Sequence, residues 1–320
     1  MKRKTILGLG AVCLSICGAG VSAQSYPSRY IELVITTTPG DTQDLSGRAV
    51  GTELAKVLKT PVVANNKLGA AGTVGADYVV KAKKDGYTVL YVNSSLIYSY
   101  ASSPQDAPYN PFKDLDPLCL AGSIPLLIAV QMDSPWKSIQ ELVSYVKQNP
   151  GKVRGSSTGV GSVGHFGYEV IRAETGADIE MIPFKGAAPG MTALIGGIVE
   201  VAIPSPTLVQ PFVKSGKVRL LLISRKSPDF PQVPTLTDLG FKRDIPSVWF
   251  GLFLPVGVPE SVKRTLVSSL DKAIHSPDLV EPFRNLGAVV DYRTADDFTK
   301  MMTEEFESVK KLFQNQTASK

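Results

Sequence analysis

Cysteine and histidine are nearly missing from this sequence: 320 residues hold three Cys and two His. Cys13 and Cys17 fall within the first 23 residues, so the rest of the chain carries Cys119 alone. A single thiol makes no intramolecular disulfide, and a thiolate metal cluster needs several. Cys119 stands among Leu118, Leu120 and Ala121, an apolar run in which it reads as inert core. His165 and His275 have no carboxylate pattern around them, so no zinc site and no cofactor is expected. Charge of one sign is missing too. Beyond residue 23 the chain has 31 basic residues against 29 acidic, a net of +2. Such a body lacks a broad basic face, and nucleic-acid binding loses its electrostatic basis. What remains is ample for a packed fold: 43% of residues are hydrophobic, and the length suits two domains of roughly 100–200 residues each.

Residues 1–23 have the form of a secretory signal. Lys2, Arg3 and Lys4 make a positive start, 6–21 is apolar and uncharged, and Val21, Ser22 and Ala23 are small enough for cleavage after Ala23. The apolar run is short of the roughly 20 residues that span a bilayer. Val12 and Ile16 before the two cysteines argue against lipid attachment. No later stretch approaches a transmembrane length, so a soluble, exported protein is expected.

The remainder alternates strand and helix patterns. Runs at 31–35, 61–64 and 87–92 are strand-like, with helical spacing at 44–58 and from Gly72 to Lys84 between them. That order predicts parallel pairing through crossovers. A second series starts at 126–130, where Ser138 and Glu141 form a capping box. Strands follow at 179–184, 199–203 and 218–223, another at 248–254, and the tail from Glu260 reads as helices. Trp136 and Trp249 fall near the expected passages between two halves. The predicted organisation is therefore a first lobe of 24–124 and 246–320, with a second lobe of 125–245 inserted.

Two glycine motifs invite enzymatic readings. Gly159, Gly161 and Gly164 match G-x-G-x-x-G, but a dinucleotide site needs a hydrophobic strand just before them, and 152–157 reads as too polar. Gly155, Ser157 and Gly159 match G-x-S-x-G, making Ser157 a candidate hydrolase nucleophile. Its partner would be His165, only eight residues on with no acid between, which fits the hydrolase order poorly. A third observation is broader. The turns at 36–41, 93–95, 156–159 and 185–190 each follow a strand, precede a helix, and are rich in hydroxyls and glycine. In open α/β sheets such turns line the binding crevice, and free N–H groups at helix starts attract anions. Two come from each half, so an anion held between two lobes is expected, by binding without chemistry.

The combination of Tyr26-Pro27-Ser28-Arg29, Pro39-Gly40 with Asp44 and Arg48, Gly69-Ala70-Ala71-Gly72, Asp85-Gly86-Tyr87-Thr88, Pro183-Phe184-Lys185-Gly186-Ala187-Ala188-Pro189 and Trp249-Phe250-Gly251-Leu252 resembles the periplasmic solute receptors of tripartite tricarboxylate transporters, the Bug family. The resemblance spans the whole chain after the leader. It implies an α/β, two-domain periplasmic-binding-protein fold of type II-like form, each lobe a mostly parallel sheet flanked by helices. It also implies a small organic carboxylate as ligand, dicarboxylate or aromatic such as a phthalate isomer, a monomeric state, and an inner-membrane permease as partner. In that family, domain-one turns grip a carboxylate through backbone N–H groups and ordered water, which maps to Thr38, Pro39 and Gly40 with Asn93, Ser94 and Ser95. The opposing lobe maps to Ser156, Ser157, Ser162, Gly186, Ala187 and Ala188. Thr37, Asp41, Asp44, His165 and Ser205, in or beside the same turns, complete the candidate set. Asp41 and Thr42 stand where the family commonly has glycines; Asp41 or Asp44 either meets a ligand ammonium or caps a helix. A periplasmic serine hydrolase using Ser157 and a ligand-sensing module for a signalling partner remain the alternatives.

Overall fold

The computed structural model describes residues 26–105 and 107–317, with side chains as far as residue 311. The leader at 1–23, its cleavage after Ala23, Cys13 and Cys17 lie outside the described residues. In chain order come β1 (Ile31–Ile35), α1 (Thr42–Leu58), β2 (Val62–Asn66), α2 (Thr73–Val80), β3 (Thr88–Asn93), α3 (Ser95–Ser102) and β4 (Leu115–Ile124). The chain then enters a second sheet with β5 (Leu127–Gln131), α4 (Ile139–Gln148), β6 (Arg154–Ser157), α5 (Val163–Thr175), β7 (Glu180–Pro183), α6 (Ala187–Ile195), β8 (Val201–Ala202), α7 (Pro206–Lys214) and β9 (Val218–Ile223). It returns with β10 (Val248–Pro255), α8 (Glu260–Ile274), α9 (Pro277–Asn285), β11 (Val289–Thr294) and α10 (Ala295–Thr317). The first sheet runs β11-β4-β10-β3-β1-β2 and the second β7-β6-β8-β5-β9.

Local chemistry accounts for these elements. β1 is buried at Ile31, Leu33, Val34 and Ile35, as a strand covered on both faces must be. Helix α1 begins at Asp41, whose side chain accepts the Gln43 amide, and ends where Lys59 turns left-handed. Ser138 caps α4 by accepting the Glu141 amide, while Glu141 reaches back to the amide of Lys137, one residue before the cap. On one face of the first sheet, Val50 and Leu54 of α1 pack with Leu266, Leu270 and Phe283 of α8 and α9. The other face belongs to a core that continues into the second lobe, where the Tyr98 ring of α3 lies 4.5 Å from that of Phe166 on α5.

The structure departs from the sequence pattern in several places, beginning with α3 and β4, which that pattern leaves unassigned. Both sheets are mixed rather than mostly parallel: β1 pairs in parallel with β2 and β3, and β6 with β7 and β8, whereas the strands beside the chain crossings pair antiparallel. A polar segment does form a strand before the glycine motif. β6 lies between two neighbours that take up its backbone groups, and Tyr168 donates its hydroxyl to the Ser156 carbonyl at 2.9 Å. The carboxy-terminal part is not wholly helical, because β11 adds to the edge beside β4. Trp249 does stand at the return crossing, but Trp136 lies beyond the far end of β5.

Gly122 shows how tightly β4 is held. A Cβ there would lie 2.4 Å from Cε1 of Phe283 and 2.6 Å from the Val289 carbonyl oxygen. Overpacking of this kind costs about 1–3 kcal/mol. Gly122→Ala should therefore lower the melting temperature by several degrees, read by calorimetry; an unchanged melting curve would contradict the packing described.

Candidate functional site

The carboxyl ends of β1 and β3 face those of β6 and β8 across a cleft of about 330 Å³. That volume falls within the roughly 300–1,000 Å³ usual for small-molecule sites. Of the residues singled out in the sequence, Thr37, Asp41, Asn93 and Ser95 line it from the first lobe. Ser156, Ser157, Ser162, Gly186, Ala187 and Ser205 line it from the second. Thr42 and Thr158, in or beside the turns picked out in the sequence, join them, whereas Gln43 and an apolar floor of Ile124, Leu126, Met191, Ile203, Val248 and Phe250 were not anticipated. Asp41 is the one charged side chain on the wall; no Lys, Arg or His is among the lining residues.

The first-lobe wall rests on a buried amide relay. Gln43, 1% exposed, donates through Nε2 to Thr36 Oγ1 (2.9 Å) and to the Tyr91 carbonyl (3.0 Å). Its Oε1 accepts from Asn93 Nδ2 at 2.7 Å, and Asn93 Oδ1 in turn accepts the Ser95 amide. Asn93 is thereby fixed in one orientation at the end of β3.

The loop between β1 and α1 corrects an expectation. Gly40, at φ +86°, does not present its amide to the cleft; it donates to Asp44 Oδ2 at 2.9 Å. Thr38, Pro39, Gly40 and Asp44 are absent from the wall. Asp44 is buried beneath the loop and also accepts from Arg48 Nε and from Asn66 Nδ2, while Asn66 Nδ2 reaches the Thr37 carbonyl. Asp44 is thus a fastening for the loop and Asp41 is the helix cap. Burial pushes the Asp44 carboxyl up, but the hydrogen bonds from Arg48, the Gly40 amide and Asn66 outweigh it and hold its pKa below 3.8.

On the second lobe, Ser162 caps α5 and accepts the His165 amide, and its hydroxyl lies 3.1 Å from that of Ser157. Ser157 Oγ also accepts the Gly159 amide at 3.1 Å. The start of α6 has no side-chain cap, so Gly186 and Ala187 face the cleft with backbone alone. Gly190 permits this approach, since a Cβ there would lie 2.9 Å from Ser156 Oγ. His165 is off the wall: its Nδ1 accepts the Gly161 amide at 3.3 Å and its Nε2 lies 3.8 Å from Glu169 Oε1. Burial lowers its pKa and keeps the imidazole neutral. Ser157 and His165 thus engage other partners, Ser162 and Gly159 for the one and Gly161 and Glu169 for the other, which is not the arrangement of a nucleophile with its base. Ser94 and Ala188 are also off the wall; the Ser94 amide donates to the Trp249 carbonyl.

Hydroxyls, helix starts and an apolar floor, with the Asp41 carboxylate engaged as a helix cap, suit holding a small molecule rather than transforming it. Comparison with known proteins agrees. Residues 47–317 match the family described as tripartite tricarboxylate transporter family receptor, TctC. The chain belongs to that family. Protein BugT of Bordetella pertussis is 32% identical over 312 residues, covering 96% of each chain. MatC of Rhodopseudomonas palustris with bound malate superposes with a TM-score of 0.76 at 27% identity, over 90% of this chain and 100% of that one. Rpa4515 of R. palustris with adipate gives 0.76 at 26% identity, over 90% and 98%. This chain is therefore a solute-binding receptor rather than an enzyme, with the two-lobed α/β fold of periplasmic binding proteins.

The Asp44 fastening has a pH signature. Because its pKa is depressed in the folded receptor, the stability it contributes is complete above 3.8 and fades as pH falls through the folded value. Asp44→Ala leaves the Gly40 amide and Asn66 without their acceptor and should cost roughly 1–3 kcal/mol near neutral pH. The gap from wild type should close below about pH 4, measured by urea unfolding across pH. A gap independent of pH would show that Asp44 acts without its charge.

Proposed function

We propose that this receptor clamps a small organic dicarboxylate between its lobes, one carboxylate toward each, and delivers it to the membrane subunits of a tripartite tricarboxylate transporter. The observation that carries the reading is a cleft that draws hydroxyl and amide donors from both lobes and apolar residues from the crossing between them. One group is Ser156, Ser157, Ser162 and the uncapped start of α6, where N–H groups and the helix dipole favour an anion. The other group is Thr37, Asn93 and Ser95, beside the Asp41 carboxylate, which accepts the Gln43 amide as the cap of α1. Phe250, Val248, Leu126 and Ile203 suit a hydrocarbon or aromatic spacer. That the neighbours hold malate and adipate, both dicarboxylates, supports the same class.

The rest of the reading follows the family. Residues 1–23 export the chain, cleavage after Ala23 frees it in the periplasm, and lobes of 24–124 with 246–320 and of 125–245 act as one monomeric clamp. The change of sheet between Ile124 and Leu127, and the return by Val248, support those limits.

A thermal-shift series of malate, adipate, phthalate isomers, monocarboxylates and amino acids tests the class. A dicarboxylate at a hundred times its dissociation constant should add about 2.7 kcal/mol of stability. Ser157→Ala should weaken that ligand by roughly 0.5–1.5 kcal/mol, measured against its own unliganded melting curve, which the lost Gly159 and Ser162 bonds lower separately. Stabilisation by amino acids alone, or a covalent phosphonate adduct at Ser157, would overturn the proposal.

A further inference from the structure

The face of the molecule behind the chain crossings carries a bridge that the ligand cleft does not explain. The chain passes between the sheets twice, after Ile124 and between Ile223 and Val248. Ser224 ties the passages together: its Oγ accepts the Leu126 amide at 3.0 Å and lies 2.7 Å from Ser247 Oγ. In each sheet the outer strand, β11 beyond β4 or β9 beyond β5, lies on the opposite side of the crossing strand from the cleft strands, and the Arg225–Asp291 contact brings those two outer edges together. Arg225, two residues past β9, reaches across on the side away from the cleft. Its Nη1 donates to Ser123 Oγ of β4 at 2.6 Å and to Asp291 Oδ2 of β11 at 3.2 Å.

We propose that Arg225 is a positioning residue for ligand capture, a clasp behind the fulcrum that holds the cleft open and sets the receptor's affinity. A rotation that narrows the cleft on one side of the Ser224–Ser247 junction widens the other side and stretches the Arg225 bridge. Closure must therefore break these bonds, and the ligand's binding energy supplies the difference. The clasp can open without harm to the fold. It stands in a groove of about 420 Å³, and Asp291 keeps a second cation, Arg293 Nε, 3.6 Å away. The Arg225 side chain is 43% exposed, so the ion pair is screened and its effect modest, about two- to fivefold on the open–closed ratio.

The clasp rests on the clamp reading but not on the ligand's class, so its test begins without ligand. Spin labels at Leu68→Cys and Val160→Cys, exposed residues of opposite lobes, report the distance across the cleft, and buried Cys119 stays unlabelled. In Arg225→Gln and Asp291→Asn the distances should shift shorter, while Arg225→Lys keeps the wild-type distribution. Salt at 1 M, where the screening length falls to about 3 Å, should move wild type partway and leave Arg225→Gln unmoved. With adipate as probe, Arg225→Gln should bind two- to fivefold tighter through slower release. Distances in Arg225→Gln that superpose on wild type, or lengthen, overturn the clasp. Absence of adipate binding in wild type counts against the dicarboxylate reading alone, since the unliganded distances still decide the clasp.

Discussion

An anion that meets no Lys or Arg must be surrounded by weaker donors before it gives up its water, and that constraint organises this receptor. Each hydroxyl or amide contributes about 1 kcal/mol net, so several must converge from more than one side. The cleft achieves this by facing the ends of β1 and β3 with those of β6 and β8. Neither lobe alone encloses a small molecule. Two lobes that meet over a cleft follow from the need to admit the ligand and then exclude water.

Weak donors bind well only if they are already in place, because ordering them on binding would cancel their gain. The groups behind the wall serve that end. Gln43 fixes Asn93, Asp44 and Asn66 fasten the loop that carries Thr37, and Ser162 orders both Ser157 and the start of α5. His165 holds the Gly161 amide and so the loop after β6. Asp44, Asn66 and His165 sit next to the site and act on it through others, while Gln43 and Ser162 also reach the wall. The same logic makes the crossing consequential, since a preformed wall leaves lobe rotation as the adjustable quantity.

Much of this was legible in the sequence, for physical reasons that also mark where legibility ended. Apolar runs such as 31–35 and 87–92 declare buried strands, and the small, hydroxylic turns after them declare a crevice. β6 hid because its polar residues are satisfied by neighbours on both sides, and β11 because it is a mostly exposed edge among helices. Gln43 reads in sequence as an ordinary helical polar residue, and only its burial shows it supporting Asn93. Ile124, Leu126, Val248 and Phe250 read as core, yet at a crossing between lobes an apolar residue becomes the floor of a cleft. Asp44 and Gly40 form one hydrogen bond, a fact that spacing alone leaves undecided between ligand contact and loop fastening.

The central claim is that a dicarboxylate is enclosed by neutral donors from both lobes. A crystal structure of the receptor saturated with the dicarboxylate that stabilises it most tests this directly. One carboxylate should lie within about 3 Å of the Ser156, Ser157 or Ala187 donors and the other within the same distance of Thr37, Asn93 or Ser95, with no Lys or Arg on either. A ligand held by one lobe alone, or by a basic side chain, would contradict it.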